Sequence, residues 1–477
     1  MNAKALLQLG AELLFQFRHG NQAADRAFAG YVARRKFLGA TDKRFLADVY
    51  YHTLRHLRRQ DEAILSAFSG TVLAQNRITA GFPVTAPEMA VCWEWPAGGP
   101  AEVERKSPRQ YPEDRAVDTA RLGLSAIERG LMPAVEAADE LIRTWPRNPA
   151  FRPVQRDSLV RIVERAAEVA AAYQRPKRVT EADRAHSWPP WLWAMLTEGR
   201  TPEQAEATAR ALAEQGPATL RVNTLKTNVE EACEALRAAG IEFSAHEFLR
   251  EALVLDRRVS RAQLPRNNEG WFEWQDAGSQ AISALSGVRP GMKVLDACAG
   301  GGGKTLHLAA LMRNEGELYA LDADETRLEV LHRRAARAGV TCLRPARAEL
   351  PQRFDLILLD VPCSGTGALR RNPEVKWRLS VARMEVLRRT QRELLDKWGA
   401  RLAPGGVLLY ATCSLLGLEN ENQVEEFLEA HPSWRILPPE EESGFRSAVT
   451  ERGELKTDPA LHGCDGFYAA RLAPAGV

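Results

Sequence analysis

Two cysteines and an aspartate stand where a chain could present them to a ligand. Asp360 to Gly367 reads DVPCSGTG and follows FDLILL, an apolar run short enough for a buried strand. The predicted strand ends on Asp360. The proline and glycines after it forbid helix and let the backbone pass close to a ligand. A second strand-like run, GGVLLYATC, ends at Cys413. Ligands bind at the carboxyl ends of strands in open α/β sheets, which makes Asp360, Cys363 and Cys413 candidate catalytic groups. A thiolate adding to C6 of cytosine turns C5 into an enamine carbon able to take a methyl group, and so divides one hard step into two easier ones. A carboxyl group at N3 would stabilise that adduct, and a base must later remove the C5 proton. Buried cysteines are ordinarily inert packing, which is the expectation for Cys92, Cys233, Cys298, Cys342 and Cys464. The polar turns around Cys363 and Cys413 set those two apart.

The methyl donor has its own candidate site. CAGGGGKT, Cys298 to Thr305, follows the strand-like MKVLDA and precedes a helical pattern, so its backbone N–H groups and a helix N-terminus can approach a ligand. A phosphate-binding P-loop would need a glycine at position 298, where this chain has cysteine. The next strand, ELYALDA, ends around Asp322, roughly twenty residues after Gly300, the separation at which an acidic residue meets ribose hydroxyls. NAD and S-adenosylmethionine both carry such a ribose. The incomplete GxGxxG spacing disfavours NAD, and the strand-end thiols favour S-adenosylmethionine with a covalently held acceptor.

The elements that must position these residues follow from periodicity. With 477 residues, several domains are expected. From Pro290 onward strands alternate with helices of ten or more residues, which predicts an α/β, Rossmann-like parallel sheet. Residues 269–477 are assigned to that domain and 176–268 to a small α/β subdomain. Residues 1–175 are read as all-α, with a proline-rich loop near 94–115. In the helical region Phe45, Leu46, Val49, Tyr50, Leu54 and Leu57 draw one apolar stripe after Thr41, a plausible N-cap. Arg143, Arg147, Arg152, Arg156, Arg161 and Arg165 form the best local basic patch. The 64 basic residues are nearly balanced by 62 acidic ones, so total charge carries no argument for nucleic acid. In SWPPWLW, Ser187 to Trp193, the prolines mark a boundary and the tryptophans are read as packing. No apolar run is long enough for a membrane span, no CxxC pair points to metal, and the amphipathic start lacks a cleavage signal, so a cytoplasmic protein is expected.

As an ordered set, LRVNTLK, QDAGSQ, VLDACAGGGGKT, ALDADETRL, FDLILLDVPCSGTGALRRNPEVKW, GGVLLYATCS and HGCDGFYAARL resemble the Sun/RsmB (NOP2-like) family of S-adenosylmethionine-dependent RNA cytosine-5 methyltransferases. RRKFLGATDKRFLADVYYHTLRH is similar to the NusB-like helical domain of its ribosomal RNA branch. The resemblance implies that Cys413 is the nucleophile and that Cys363 assists product release. It assigns Asp360 to the cytosine ring and to the cofactor's edge, with Lys304 holding the polar network. It gives Cys298, Ala299, Gly300, Gly301, Gly302, Gly303, Lys304 and Asp322 to the cofactor, and sets Arg370, Arg371 and Lys376 beside the target strand. Ribosomal RNA is the favoured partner. Transfer RNA, or a non-catalytic role as an RNA-binding ribosome-assembly factor, are the alternatives. Two departures stand out. The family's CAAPGGK turn here has Gly300 and Gly301 in place of alanine and proline, and the aspartate expected after the third strand has only Glu349 as a counterpart.

Overall fold

In the computed structural model the described residues are 1–18, 22–68, 112–144, most of 160–168, 185–345, 349–439 and 446–475. Cys92, Arg147, Arg152, Arg156, Arg165 and most of the proline-rich stretch lie outside them. The chain divides into two compact units. One comprises Met1–Ala213 with Arg371–Ser380, and the other Glu214–Arg370 with Val381–Val477.

Among its described residues the first unit is helical. Its long helix Ala40–Phe68 buries Leu46, Val49, Tyr50, Leu54 and Leu57 along the expected stripe, against Leu7, Leu14 and Leu122 from neighbouring helices. The helix begins at Ala40, one residue before Thr41, and Asp42 accepts a hydrogen bond from the Gly39 N–H at 3.0 Å. Backbone dihedrals break from helical values at His56. Beside that break the Leu54 carbonyl accepts from Trp377 Nε1 at 2.7 Å, and the Arg55 carbonyl accepts from Lys376 Nζ at 2.8 Å. Helix breaks free carbonyls that need donors, and here the inserted segment Arg371–Ser380 supplies them. Trp188, from the tryptophan cluster, is buried in the same unit.

The second unit holds two sheets. The smaller is antiparallel with order β2-β3-β1-β4, where β1 is Ala218–Val222, β2 Phe243–Ala245, β3 Ala252–Leu255 and β4 Phe272–Trp274. Its core joins Leu220, Val222, Leu253 and Phe272 to Ala232 and Leu236 of helix Val229–Ala238.

The larger sheet has order β10-β11-β8-β7-β5-β6, with β9 also on β11. Its parallel part is β5 Lys293–Asp296, β6 Glu317–Ala320, β7 Phe354–Asp360 and β8 Leu402–Thr412. Alternation along β7 explains its unbroken apolar run. Leu356 and Leu358 face a core with helices Ala277–Leu285 and Gly303–Leu311, while Ile357 and Leu359 face one with helices Val381–Gly399 and Glu421–Ala430. The sheet is parallel only in part. β11 Phe467–Pro474 runs antiparallel to β8, to β10 Leu455–Thr457 and to β9 Trp434–Leu437. Strand direction is set by the connection, and the connection from β10 to β11, with its short helix Pro459–His462, is too short for a parallel crossover.

The parallel strands end along one edge, at Asp296, Ala320, Asp360 and Thr412. β5 has β6 on one side and β7 on the other, so the order switches direction there, where such sheets bind ligands.

Candidate active site

Strand β7 delivers Asp360 and the turn after it delivers Cys363, while β8 delivers Cys413 from the neighbouring strand end. The two sulfurs lie 3.4 Å apart. The hydrogen bond with Cys413, followed by burial, pushes the Cys363 thiol well above its ordinary pKa. Lys304, in the first turn of helix Gly303–Leu311, reaches back to Asp360 with Nζ to Oδ2 at 2.8 Å. Burial alone would lower the Lys304 pKa. The Asp360 carboxylate, by its charge and hydrogen bond, outweighs burial, and Cys413 adds to it, so the ammonium is held above the usual lysine value. The ammonium also lies 5.3 Å from the Phe467 ring centroid. A buried lysine, an aspartate and two thiols thus share one sheet edge.

The glycine turn forms the adjoining cradle. The Gly300 N–H donates to Asp322 Oδ2 at 2.8 Å, and the Asp324 N–H donates to Asp322 Oδ1 at 2.9 Å, which fixes the carboxylate while leaving it lone pairs. A Cβ built on Gly300 or Gly303 would meet nothing within 4 Å, so this backbone borders open space. Gly302 has φ +87°, and a Cβ there would lie 2.7 Å from Leu331 Cγ. Only glycine fits that position. Arg334 pins the loop from behind, donating to the Gly301 carbonyl and, at 2.7 Å, to Glu273 of β4. A fixed carboxylate, open backbone and a helix N-terminus together suit a ribose-bearing cofactor such as S-adenosylmethionine. The residues that would hold it are those of the 298–304 turn and Asp322. Cys298, pushed up to about 12 by burial, is a neutral wall of this turn. Glu349 is exposed on its loop.

Several contributors had no sequence signal as site residues. Asp296, wholly buried at the end of β5, accepts from Thr305 Oγ1 at 2.7 Å and leaves Oδ1 without a partner. Burial raises its pKa to about 7. The HGCDGFYAARL motif is a brace. The Gly466 N–H donates to the Gly367 carbonyl and the Gly367 N–H to the Cys413 carbonyl, each at 2.9 Å, which ties β11 to both cysteine turns. Gly367 has no room for a Cβ against Gly466.

In the LRRNPEVKW segment two of the three cations that the resemblance set beside the target strand are buried. Arg370 is buried and bonds Asp465 and the Gly463 carbonyl at 3.3 and 3.1 Å. Lys376 is buried in the helical unit, where it also donates to the His186 carbonyl at 3.1 Å. Both cations are occupied by protein acceptors, because burial demands partners for them.

Comparison with known proteins decides the family. Residues 285–473 match the model described as 16S rRNA methyltransferase RsmB/F, and residues 188–261 match the RsmF/B-like ferredoxin-like domain. A probable ribosomal RNA small subunit methyltransferase B of Synechocystis is 33% identical over 330 residues, covering 67% of this chain and 74% of that protein. The chain belongs to the RsmB/F methyltransferase family. Members of this family are S-adenosylmethionine-dependent, in keeping with the cradle at Gly300 and Asp322. The ribosomal RNA small subunit methyltransferase B of Vibrio cholerae is 38% identical over 296 residues, covering 60% of this chain and 65% of that protein. The matched stretches thus span about two thirds to three quarters of the length of these relatives. Among solved structures, PH0851 shares the fold with a TM-score of 0.70 and 23% identity over 99% of both chains. NSun6 from Pyrococcus horikoshii with SFG aligns with a TM-score of 0.54 and 20% identity, over 61% of this chain and 99% of that one. Among the described residues no helix is long and apolar enough to cross a membrane, and no group of acidic, histidine or cysteine side chains could hold a metal ion.

Proposed function

We propose that this RsmB/F family member methylates C5 of a cytosine in the RNA of the small ribosomal subunit, through a covalent adduct at C6. The observation that carries the reading is the pair of sulfurs 3.4 Å apart beside the Asp360–Lys304 ion pair. Two thiols in contact suit a division in which one forms the adduct and the other assists its release. The names of the relatives from Synechocystis and Vibrio cholerae supply the substrate class. A cytoplasmic location and a helical RNA-binding domain over residues 1–175, followed by the small α/β subdomain to 268, belong to the same proposal.

In this mechanism Cys413 Sγ, as thiolate, adds to C6, and the C5=C6 electrons shift onto C5. Asp360, held by Lys304, passes the proton given up by the Cys413 thiol to N3, which neutralises the negative charge that develops there, and as a carboxylate then accepts from the N3–H. Bound S-adenosylmethionine supplies the electrophilic methyl group. A water acting as base takes the C5 proton, whose electron pair returns to the C5=C6 bond as the C6–S bond breaks; Cys413 leaves as thiolate and recovers from N3, by way of Asp360, the proton it gave up. Cys363, in contact with the Cys413 sulfur, assists this release. Lys304 and Asp360 form a neutral pair before and after, so no net charge is buried.

The test is a pair of substitutions assayed on unmodified small-subunit RNA. Cys413→Ala should lose methyl transfer, by at least about a thousandfold. Cys363→Ala should retain an RNA adduct that runs as a slow band on a denaturing gel. Exchanged phenotypes would reverse the two roles, and 5-methylcytosine appearing only in transfer RNA would overturn the substrate.

A further inference from the structure

Two consecutive residues that the mechanism does not use, Glu419 and Asn420, each straddle one of the two cysteines. Glu419 Oε1 accepts from the Ser364 N–H at 2.8 Å and from Gln391 Nε2 at 3.0 Å, and the same Gln391 nitrogen donates to the Pro362 carbonyl at 3.0 Å. The residues before and after Cys363 are thereby clasped by one Glu–Gln pair. Asn420 does the same around Cys413. Its Oδ1 accepts from Thr412 Oγ1 at 2.6 Å and its Nδ2 donates to the Ser414 carbonyl at 3.0 Å.

All three clasping side chains are buried. Glu419 is a carboxylate without a cation in bonding distance among the described residues, and its Oε2 has no partner, an arrangement that packing alone would disfavour. Asn420 precedes helix Glu421–Ala430 at the N-cap, yet its side chain makes no cap bond there. Both residues forgo the interaction their type and place would favour in order to hold a cysteine turn. Adjacent in sequence, they also tie the two turns to one rigid reference. The Glu419 carbonyl, accepting from Tyr410 OH at 2.6 Å, anchors that reference to β8.

We propose that Glu419 and Asn420 are positioning residues that set the separation of the two sulfurs, Glu419 with Gln391 governing adduct release through Cys363, and Asn420 governing adduct formation through Cys413. The inference rests on the covalent mechanism proposed above. Displacing a reacting group by an ångström or less costs rate without touching substrate.

The experiment is a single-turnover reaction of the full-length protein with unmodified small-subunit RNA and labelled S-adenosylmethionine, reading protein–RNA adduct and released 5-methylcytidine separately. In Glu419→Ala the ratio of adduct to product should rise about tenfold, whereas in Asn420→Ala adduct formation should slow about tenfold with that ratio unchanged. Glu419→Gln keeps an oxygen for both donors and should restore the wild-type ratio. Where an alanine variant fails to fold, Gln391→Ala and Asn420→Asp test the same two clasps. The inference is overturned if Glu419→Ala loses adduct and product in equal proportion, as a merely structural role predicts, if Asn420→Ala forms adduct at the wild-type rate or slows only in step with an equal loss of S-adenosylmethionine binding, or if Glu419→Gln is no better than Glu419→Ala. Wild type and Cys363→Ala run alongside separate the two levels. If neither forms product or adduct, the proposed function falls and the inference with it. A competent wild type with unchanged partitioning in Glu419→Ala and an unchanged adduct rate in Asn420→Ala sinks the inference alone.

Discussion

Asp296 is a buried carboxyl whose charge the fold disfavours. It is buried behind Lys304, its pKa is raised to about 7, and one oxygen lacks a partner. A carboxyl raised in the folded state stabilises while it is protonated in both states, and that contribution is lost as pH climbs from the unfolded value near 4 through about 7. Asp296→Asn cannot ionise and should escape the loss. Its stability relative to wild type should therefore improve between pH 4 and pH 8, by on the order of 2–4 kcal/mol across the range. Urea denaturation at several pH values measures this, and a difference that stays flat would place an uncharged or externally paired carboxyl at this position. Residue type together with a place at a strand end marked Asp360, Cys363 and Cys413 as reactive candidates, and the family resemblance added Lys304. Asp296 and Glu419 were not legible in that way, since an acidic residue in a sequence carries no sign of whether the fold leaves it wet or dry.

At the scale of elements, the glycine turn depends on a partner outside itself. Where relatives of the resembled pattern stiffen this turn with proline, Gly301 here is held through its carbonyl by Arg334 of helix Glu325–Ala338, and Arg334 is in turn fixed by Glu273 of β4. Arginine forks of this kind hold geometry well, because the guanidinium is planar and its donors are fixed. Arg334→Ala should weaken S-adenosylmethionine binding about tenfold while moving the thermal midpoint by only a few degrees. Calorimetric titration alongside a melting curve checks both. Unchanged affinity would mean that the turn is stiff without its clamp. The turn itself was legible from its glycines after a buried strand. Its clamp was not, since Gly301 and Arg334 are far apart in the chain and meet only because the helix after β6 packs beside β5.

At the scale of the molecule, a short stretch between the catalytic turn and helix Val381–Gly399 belongs to the helical unit. Within that unit Trp377 is buried and its indole nitrogen donates to the Leu54 carbonyl beside the break at His56. Trp377→Ala should destabilise the unit by about 3 kcal/mol, the usual cost of truncating a buried aromatic. Amide exchange in helix Ala40–Phe68 should quicken first around Leu54, and exchange that stays unchanged there would assign Trp377 a merely peripheral place. The family resemblance set the basic residues of this stretch beside the target strand. Charge gives no sign of burial, and Lys376 spends its donors on the Arg55 and His186 carbonyls.

The sequence by itself determined the local matters: which strands are buried on both faces, which turns must be glycine, where thiols meet strand ends, and the ordered motifs that mark the family. Those features are written in period, residue type and spacing, which short-range sterics and hydrophobic burial read directly. Only the tertiary structure decided the direction of β11, the 3.4 Å meeting of Cys363 with Cys413, the Glu419 and Asn420 clasps, and the burial of Asp296, Arg370 and Lys376. Apart from the Asn420 clasp, which closes over six to eight residues, these features join residues distant in the chain, and such contacts depend on how strands are ordered in a sheet, which no local pattern encodes.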